Sequence, residues 1–150
     1  MGRALKELAK AKKKRVFFPN ELATLFVEEY TPAKAVTTIN AYYNNMVINF
    51  EEIKQINKRI SKNQKKYQNP TTSIKSKQET ALKSFIATSI AFQEAKESEG
   101  AKAEWLPSES DNPSLDHLDN YGKIFYLDEG IDGEIPAERP NCQCGFRIIK

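Results

Sequence analysis

This sequence is short of the residues that most often do chemistry, with one histidine, two cysteines and one tryptophan. It has no apolar run near the roughly 18 residues that a membrane-spanning helix needs, so no membrane partner is expected. The basic N-terminus, MGRALKELAKAKKKR, has no apolar stretch behind it and does not read as a secretory signal. Cys142 and Cys144, one residue apart, make a poor disulfide framework, because a bridge between them would close a very tight ring. Reduced thiols in a cytosolic or particle-interior protein are expected. Neither G-x-G-x-x-G nor a Walker pattern occurs, which removes the common phosphate-cradling loops, and there are no internal repeats.

What is present fits one domain, or one domain with a helical extension: 150 residues, 39% hydrophobic and 29% charged, with a mean hydropathy of -0.63. The net charge of +3 hides an asymmetry. Residues 1–15 carry seven Lys/Arg against Glu7, whereas residues 104–138 carry ten acids against Lys123. A second basic stretch, Lys54 to Lys83, holds nine Lys/Arg and one Glu. Basic arms of this kind meet nucleic acid or acidic partners, or they are solvated surfaces that aid solubility. The nucleic-acid candidates are Lys12, Lys13, Lys14 and Arg15 in the first stretch, and Lys62, Lys65 and Lys66 in the second.

Hydrophobic spacing predicts mostly helix up to residue 100. A frayed basic helix with Leu5 and Leu8 on one face would be unstable alone. Pro19-Asn20-Glu21 opens a short helix through Leu22, Leu25, Phe26 and Tyr30. Thr31-Pro32 then pairs a capping hydroxyl with proline at the first helical position. From there Val36, Ile39, Tyr43, Met46, Phe50, Ile53, Asn57 and Ile60 alternate steps of three and four, a heptad-type seam. The seam predicts one long amphipathic helix from Pro32 to about Tyr67, with a homo-oligomer through residues 36–60 as one use of it. Asn57 either fixes register from a buried position or, near the helix end, is wet; the wet reading is preferred. Asn69-Pro70-Thr71-Thr72-Ser73 breaks the chain and caps a further helix from Ile74 to Ser98, ended by Gly100. The two long helices should form an antiparallel hairpin.

Past Gly100 the period changes. Ala103–Trp105, Ile124–Leu127 and Phe146–Ile149 read as short strands between turns such as Asp132-Gly133. Such a small, loop-rich unit with few apolar residues usually needs a staple. The only His, the only Trp and both Cys fall within it. Thiolates and imidazole suit zinc, so His117, Cys142 and Cys144, with Asp111 as a possible fourth donor, are the candidate metal ligands. The spacing is not that of a zinc finger, and two ordinary buried cysteines beside a hydrogen-bonded histidine are the rival reading. A Cys-His nucleophile would need a setting that the neighbouring second cysteine does not resemble. A metal nuclease would bring more histidines or carboxylates facing a phosphate. No enzyme activity is expected, and a metal-dependent hydrolase is the weakest alternative.

The order of these residues is informative. A helix leads into Trp105; Asp111 is followed six residues later by His117 and five after that by Gly122. An aromatic strand comes next, then Pro136 in an acidic loop and finally Pro140-Asn141-Cys142-Gln143-Cys144. The set, spanning about Glu79 to Ile149, resembles the C-terminal module of the Mu-F-like phage head morphogenesis proteins, minor capsid proteins of tailed bacteriophages. The resemblance implies a virion protein at the capsid interior or portal vertex, in the host cytoplasm during assembly. It implies partners among the portal and other head proteins, a part in head assembly, and a possible role in packaging or ejecting DNA. It also makes Asp111, His117, Cys142 and Cys144 the pattern positions. Two departures stand out: Asn112-Pro113-Ser114-Leu115-Asp116 replaces a stretch where the family often has arginines, and Gln143 stands where Arg is common.

The expected architecture is α+β: a basic leader (1–18), a helical region (19–100) with a long amphipathic helix in a hairpin, and a small β module (101–150). The expected function is that of a non-enzymatic minor head protein, with a nucleic-acid-binding module as the alternative.

Overall fold

The structure, a computed structural model, describes residues 2–43, 50–98, 101–107, 115–140 and 142–149. Among these, the hydrophobic pattern resolves into five helices and a four-stranded antiparallel sheet, an α+β fold. The helices are α1 (Arg3–Lys14), α2 (Pro19–Glu29), α3 (Pro32–Tyr42), α4 (Phe50–Tyr67) and α5 (Ile74–Glu97). The strands are β1 (Val16–Phe17), β2 (Lys102–Leu106), β3 (Ile124–Tyr126) and β4 (Gly145–Ile148).

The predicted helix from Pro32 to Tyr67 is two helices. The helix α3 starts as expected, with the Thr31 hydroxyl accepting from the Lys34 amide and Pro32 in the first turn. It ends at Tyr42, and Tyr43 leaves helical geometry at φ -87°, ψ 86°. A heptad seam describes which side chains share a stripe, and two shorter helices can satisfy the same stripe. The stripe is also displaced: α4 buries Ile56, Ile60 and Asn63, while Asn57 is exposed and Phe50 is 74% exposed. Met46 lies outside the described residues. The hairpin stands as α4 and α5. Lys96 Nζ meets Glu52 Oε1 at 2.6 Å near one end, and Gln64 Nε2 donates to the Lys77 carbonyl at 2.7 Å near the other, so the two helices run antiparallel. Ser73 caps α5 by accepting from the Ser76 amide. From Ile86 to Ala95 every α5 residue is buried, which makes this the central helix rather than a striped one. The proposed stop at Gly100 lies outside the described residues.

The first eighteen residues are not a detachable leader. Ala4 and Leu8 of α1 are fully buried, α1 packs on α2, and β1 pairs with β4 in the register Val16↔Arg147 and Phe17↔Phe146. A two-residue strand is too short to show alternation, so β1 was not legible. Stacking of the Phe17 and Phe146 rings, 5.0 Å between centroids, fixes the pairing. The strand order β1-β4-β2-β3 thus joins the N-terminal region to the C-terminal module, and one hydrophobic cluster runs through both.

Candidate metal centre

Three short elements bring the rare residues together. His117 lies in a 3₁₀ turn, Leu115–Asn120, directly after which Gly122 reverses the chain into β3. Gly122 has φ +81°, a left-handed conformation that glycine adopts without steric cost. It returns its amide to the Trp105 carbonyl at 2.9 Å, and the Trp105 amide donates to Lys123, so the turn is locked onto β2. Cys142 and Cys144 lie directly before β4. Gly145 follows because a Cβ there would sit 2.4 Å from the Phe17 carbonyl oxygen. The Asn20 amide at the start of α2 donates to the Cys142 carbonyl at 3.0 Å and holds this segment in place.

The result is a buried donor set. The ligand atoms of His117, Cys142 and Cys144 all lie within 4.8 Å of one another, and the residues are 1%, 5% and 2% exposed. Both cysteines are free thiols. His117 Nδ1 is 3.5 Å from the Cys142 sulfur and 3.7 Å from the Cys144 sulfur. Zinc held by one imidazole and two thiolates at tetrahedral angles places nitrogen and sulfur about 3.6 Å apart. One nitrogen has a single proton or a single lone pair, so it can make one good hydrogen bond, yet both sulfurs face it. Convergence on a common point suits a metal ion better than two competing hydrogen bonds. These three residues are therefore close enough and chemically suited to hold a metal. Asp111 lies outside the described residues.

Surrounding groups set the protonation of the set. Burial pulls the His117 imidazolium down, but hydrogen bonds to Cys144 and Glu134 outweigh it and raise its pKa from 6.5 to about 9. The Cys142 hydrogen bond, with His117 and Trp105 adding to it against the cost of burial, lowers Cys144 from 9.0 to about 5. Cys142 is pushed well above its ordinary value by the neighbouring Cys144 sulfur and by burial. Both shifts favour charge on the ring and on the Cys144 sulfur, and a metal ion bound there would displace the protons that its ligands still carry. The Trp105 indole N–H is buried with no partner in full hydrogen-bond geometry, and its ring packs edge-on to His117 at 5.0 Å.

Residues outside the predicted site complete the surroundings. Glu134 Oε1 lies 3.2 Å from His117 Nε2. It is placed by the tight Asp132-Gly133 turn, both residues at positive φ, which closes an Ile131↔Glu134 bridge. Arg139 grips Glu134 with Nε to Oε1 at 3.0 Å and Nη2 to Oε2 at 2.8 Å, and its guanidinium lies 3.7 Å over the Tyr67 ring of α4. Burial would raise the Glu134 carboxyl, but His117 and Arg139 hold it below its ordinary value. Glu138, fully buried, forms an ion pair with Arg59 Nε at 2.9 Å, off hydrogen-bond alignment, and accepts from Asn63 at 3.2 Å. Arg59 also reaches the carbonyls of Asp128 and Gly133, so α4 clasps the β module. The Asp-Gly dipeptide was the one available signal for this group; isolated acids and arginines in a loop carry no periodicity.

A Cys144–His117–Glu134 line also has the order of a nucleophile, a base and an orienting acid. Burial argues against that use, and none of the cavities described is lined by His117, Cys142 or Cys144.

The basic candidates divide. Lys12 turns inward: it pairs with Glu94 and Glu97 and sits 4.4 Å over the Tyr43 ring, while the Tyr43 hydroxyl donates to Glu94 at 2.6 Å. Lys13, Lys14 and Arg15 are exposed at the end of α1, as are Lys62, Lys65 and Lys66 on the last turns of α4. No helix among the described residues is long and apolar enough to cross a membrane. No known protein family, curated protein or solved structure matches this chain.

Proposed function

We propose that this chain is a non-enzymatic minor head protein of a tailed phage, its C-terminal module closed by a structural metal ion, and that the metal is zinc. The observation that supports this reading most is convergence. Trp105, His117, Cys142 and Cys144, spread along the chain in the Mu-F-like order, meet around one buried point, and Gly122 at the surface turns the chain back onto Trp105. Two thiolates and an imidazole favour zinc over the oxygen-preferring cations. Asp111 is the proposed fourth donor. In this role the protein acts by binding the portal and other head proteins, in the assembling particle and then inside the capsid. Recovery of the chain in particles, or with portal protein, from cells co-expressing the head proteins tests this; a monomer that joins neither contradicts it.

A second reading has its own observation, the exposed cations on α1 and α4. As a nucleic-acid module the protein would contact mainly phosphate, so its affinity for duplex DNA should fall linearly in log–log with salt. Lys13→Gln/Lys14→Gln/Arg15→Gln and Lys62→Gln/Lys65→Gln/Lys66→Gln should each flatten that slope. Absent or salt-insensitive binding would remove this reading and leave the first intact.

A further inference from the structure

We infer that Glu134 is a positioning residue of the metal centre: it holds His117 with Nε2 as the N–H donor, so that Nδ1 is the nitrogen presented to the Cys142 and Cys144 sulfurs. This rests on the metal reading above and assigns a role that the ligand set alone leaves open. A metal-binding histidine has two chemically distinct ring nitrogens, and the partner of one decides which is free for the ion. Here the two sides differ. Nδ1 faces both sulfurs at 3.5 and 3.7 Å, and Nε2 faces the Glu134 carboxylate at 3.2 Å. Glu134 is itself fixed twice, by the Asp132-Gly133 turn and by the two bonds from Arg139. Arg139 lies on Tyr67, so the chain of contacts runs from the centre through Glu134 and Arg139 to the end of α4. A carboxylate that could swing would not keep the ring oriented; this one cannot swing without breaking the Arg139 fork.

The chain has a single histidine, so labelling histidine with nitrogen-15 gives one pair of ring signals, told apart as Nδ1 and Nε2 by their couplings to the two ring C–H protons. In the zinc-loaded wild-type protein the expected spectrum shows a protonated Nε2 and a metal-bound Nδ1. Alongside it, cobalt(II) affinity is measured by the thiolate-to-cobalt absorption band. Glu134→Gln, which keeps the shape but not the charge, should weaken binding about 10–100-fold, the effect typical of such partners. Glu134→Ala should weaken it at least as much and lose the ordered Nε2–H signal. Glu104→Gln, on the outer face of β2, is the control and should bind as wild type does. Metal bound at Nε2, or wild-type affinity in both Glu134 variants, would overturn this inference while leaving the metal centre standing. A wild-type protein that takes up neither zinc nor cobalt would overturn both. If a Glu134 variant fails to fold, the wild-type nitrogen spectrum still overturns the inference by showing metal at Nε2, and the other variant tests the carboxylate's part.

Discussion

Glu138 is fully buried, and burial raises its carboxyl from 4.5 to about 7 despite the Arg59 guanidinium beside it. The folded state therefore favours the protonated acid. Stability linked to this group is fully present below about 4.5, the unfolded value, and is lost as pH rises through about 7. Glu138→Gln removes that titration. Relative to wild type, the variant should gain on the order of 3 kcal/mol between about pH 4.5 and about pH 8. Urea unfolding of both proteins at the two pH values measures this, and parallel pH profiles would contradict it. At this scale the metal-ligand candidates were legible because His117, Cys142 and Cys144 are rare and clustered in the sequence. Glu134, Arg139 and Glu138 were not, because common residues acquire a role only through the turns that aim them.

Helix α4 shows what spacing can and cannot decide at the scale of an element. The seam through Ile53, Asn57 and Ile60 and the observed stripe through Ile56, Ile60 and Asn63 share a helical period but face different directions. Only the partner helix, α5, selects between them. Ile56→Ala should cost about 2–5 kcal/mol, as deletions of fully buried aliphatic side chains do, and Ile53→Ala distinctly less. Equal losses in denaturant titrations would restore the original stripe. The narrow apolar face of helix α1 predicts a frayed helix. Its stability comes from Leu8 in the common core and from Lys12 against Glu94 and Tyr43, long-range contacts absent from any local window. Leu8→Ala should likewise cost about 2–5 kcal/mol. A protein lacking residues 2–14 that unfolds like wild type would show that the segment is a detachable leader after all.

In the whole molecule, the α+β class and the hairpin could be read from periodicity and from the Thr31 and Ser73 caps. The joining of the two ends could not, since β1 is two residues long and its partners lie far along the chain, 131 residues away in Val16↔Arg147, with Asn20 and Cys142 122 residues apart. That joining would make a metal bound at the His117–Cys142–Cys144 set a matter for the entire fold. The thiol segment is held by α2 and α4 clasps the surrounding turns, so loss of metal should be felt as one cooperative change in the helical signal as well as in Trp105 fluorescence. Separate transitions for the two probes would contradict this coupling.

The proposal that the buried His117–Cys142–Cys144 set holds a structural metal ion makes a direct physical prediction. The most direct measurement combines elemental analysis of the purified chain with thermal melting, with and without a strong chelator, for wild type and Cys142→Ser. About one zinc per wild-type chain is expected, with a contribution to folding on the order of several kcal/mol. Chelator should then lower the wild-type melting temperature by about 10 °C and leave the already lowered melt of Cys142→Ser unmoved. A wild-type protein without bound metal, melting identically with and without chelator, would reduce the set to ordinary packing and rule out a structural metal.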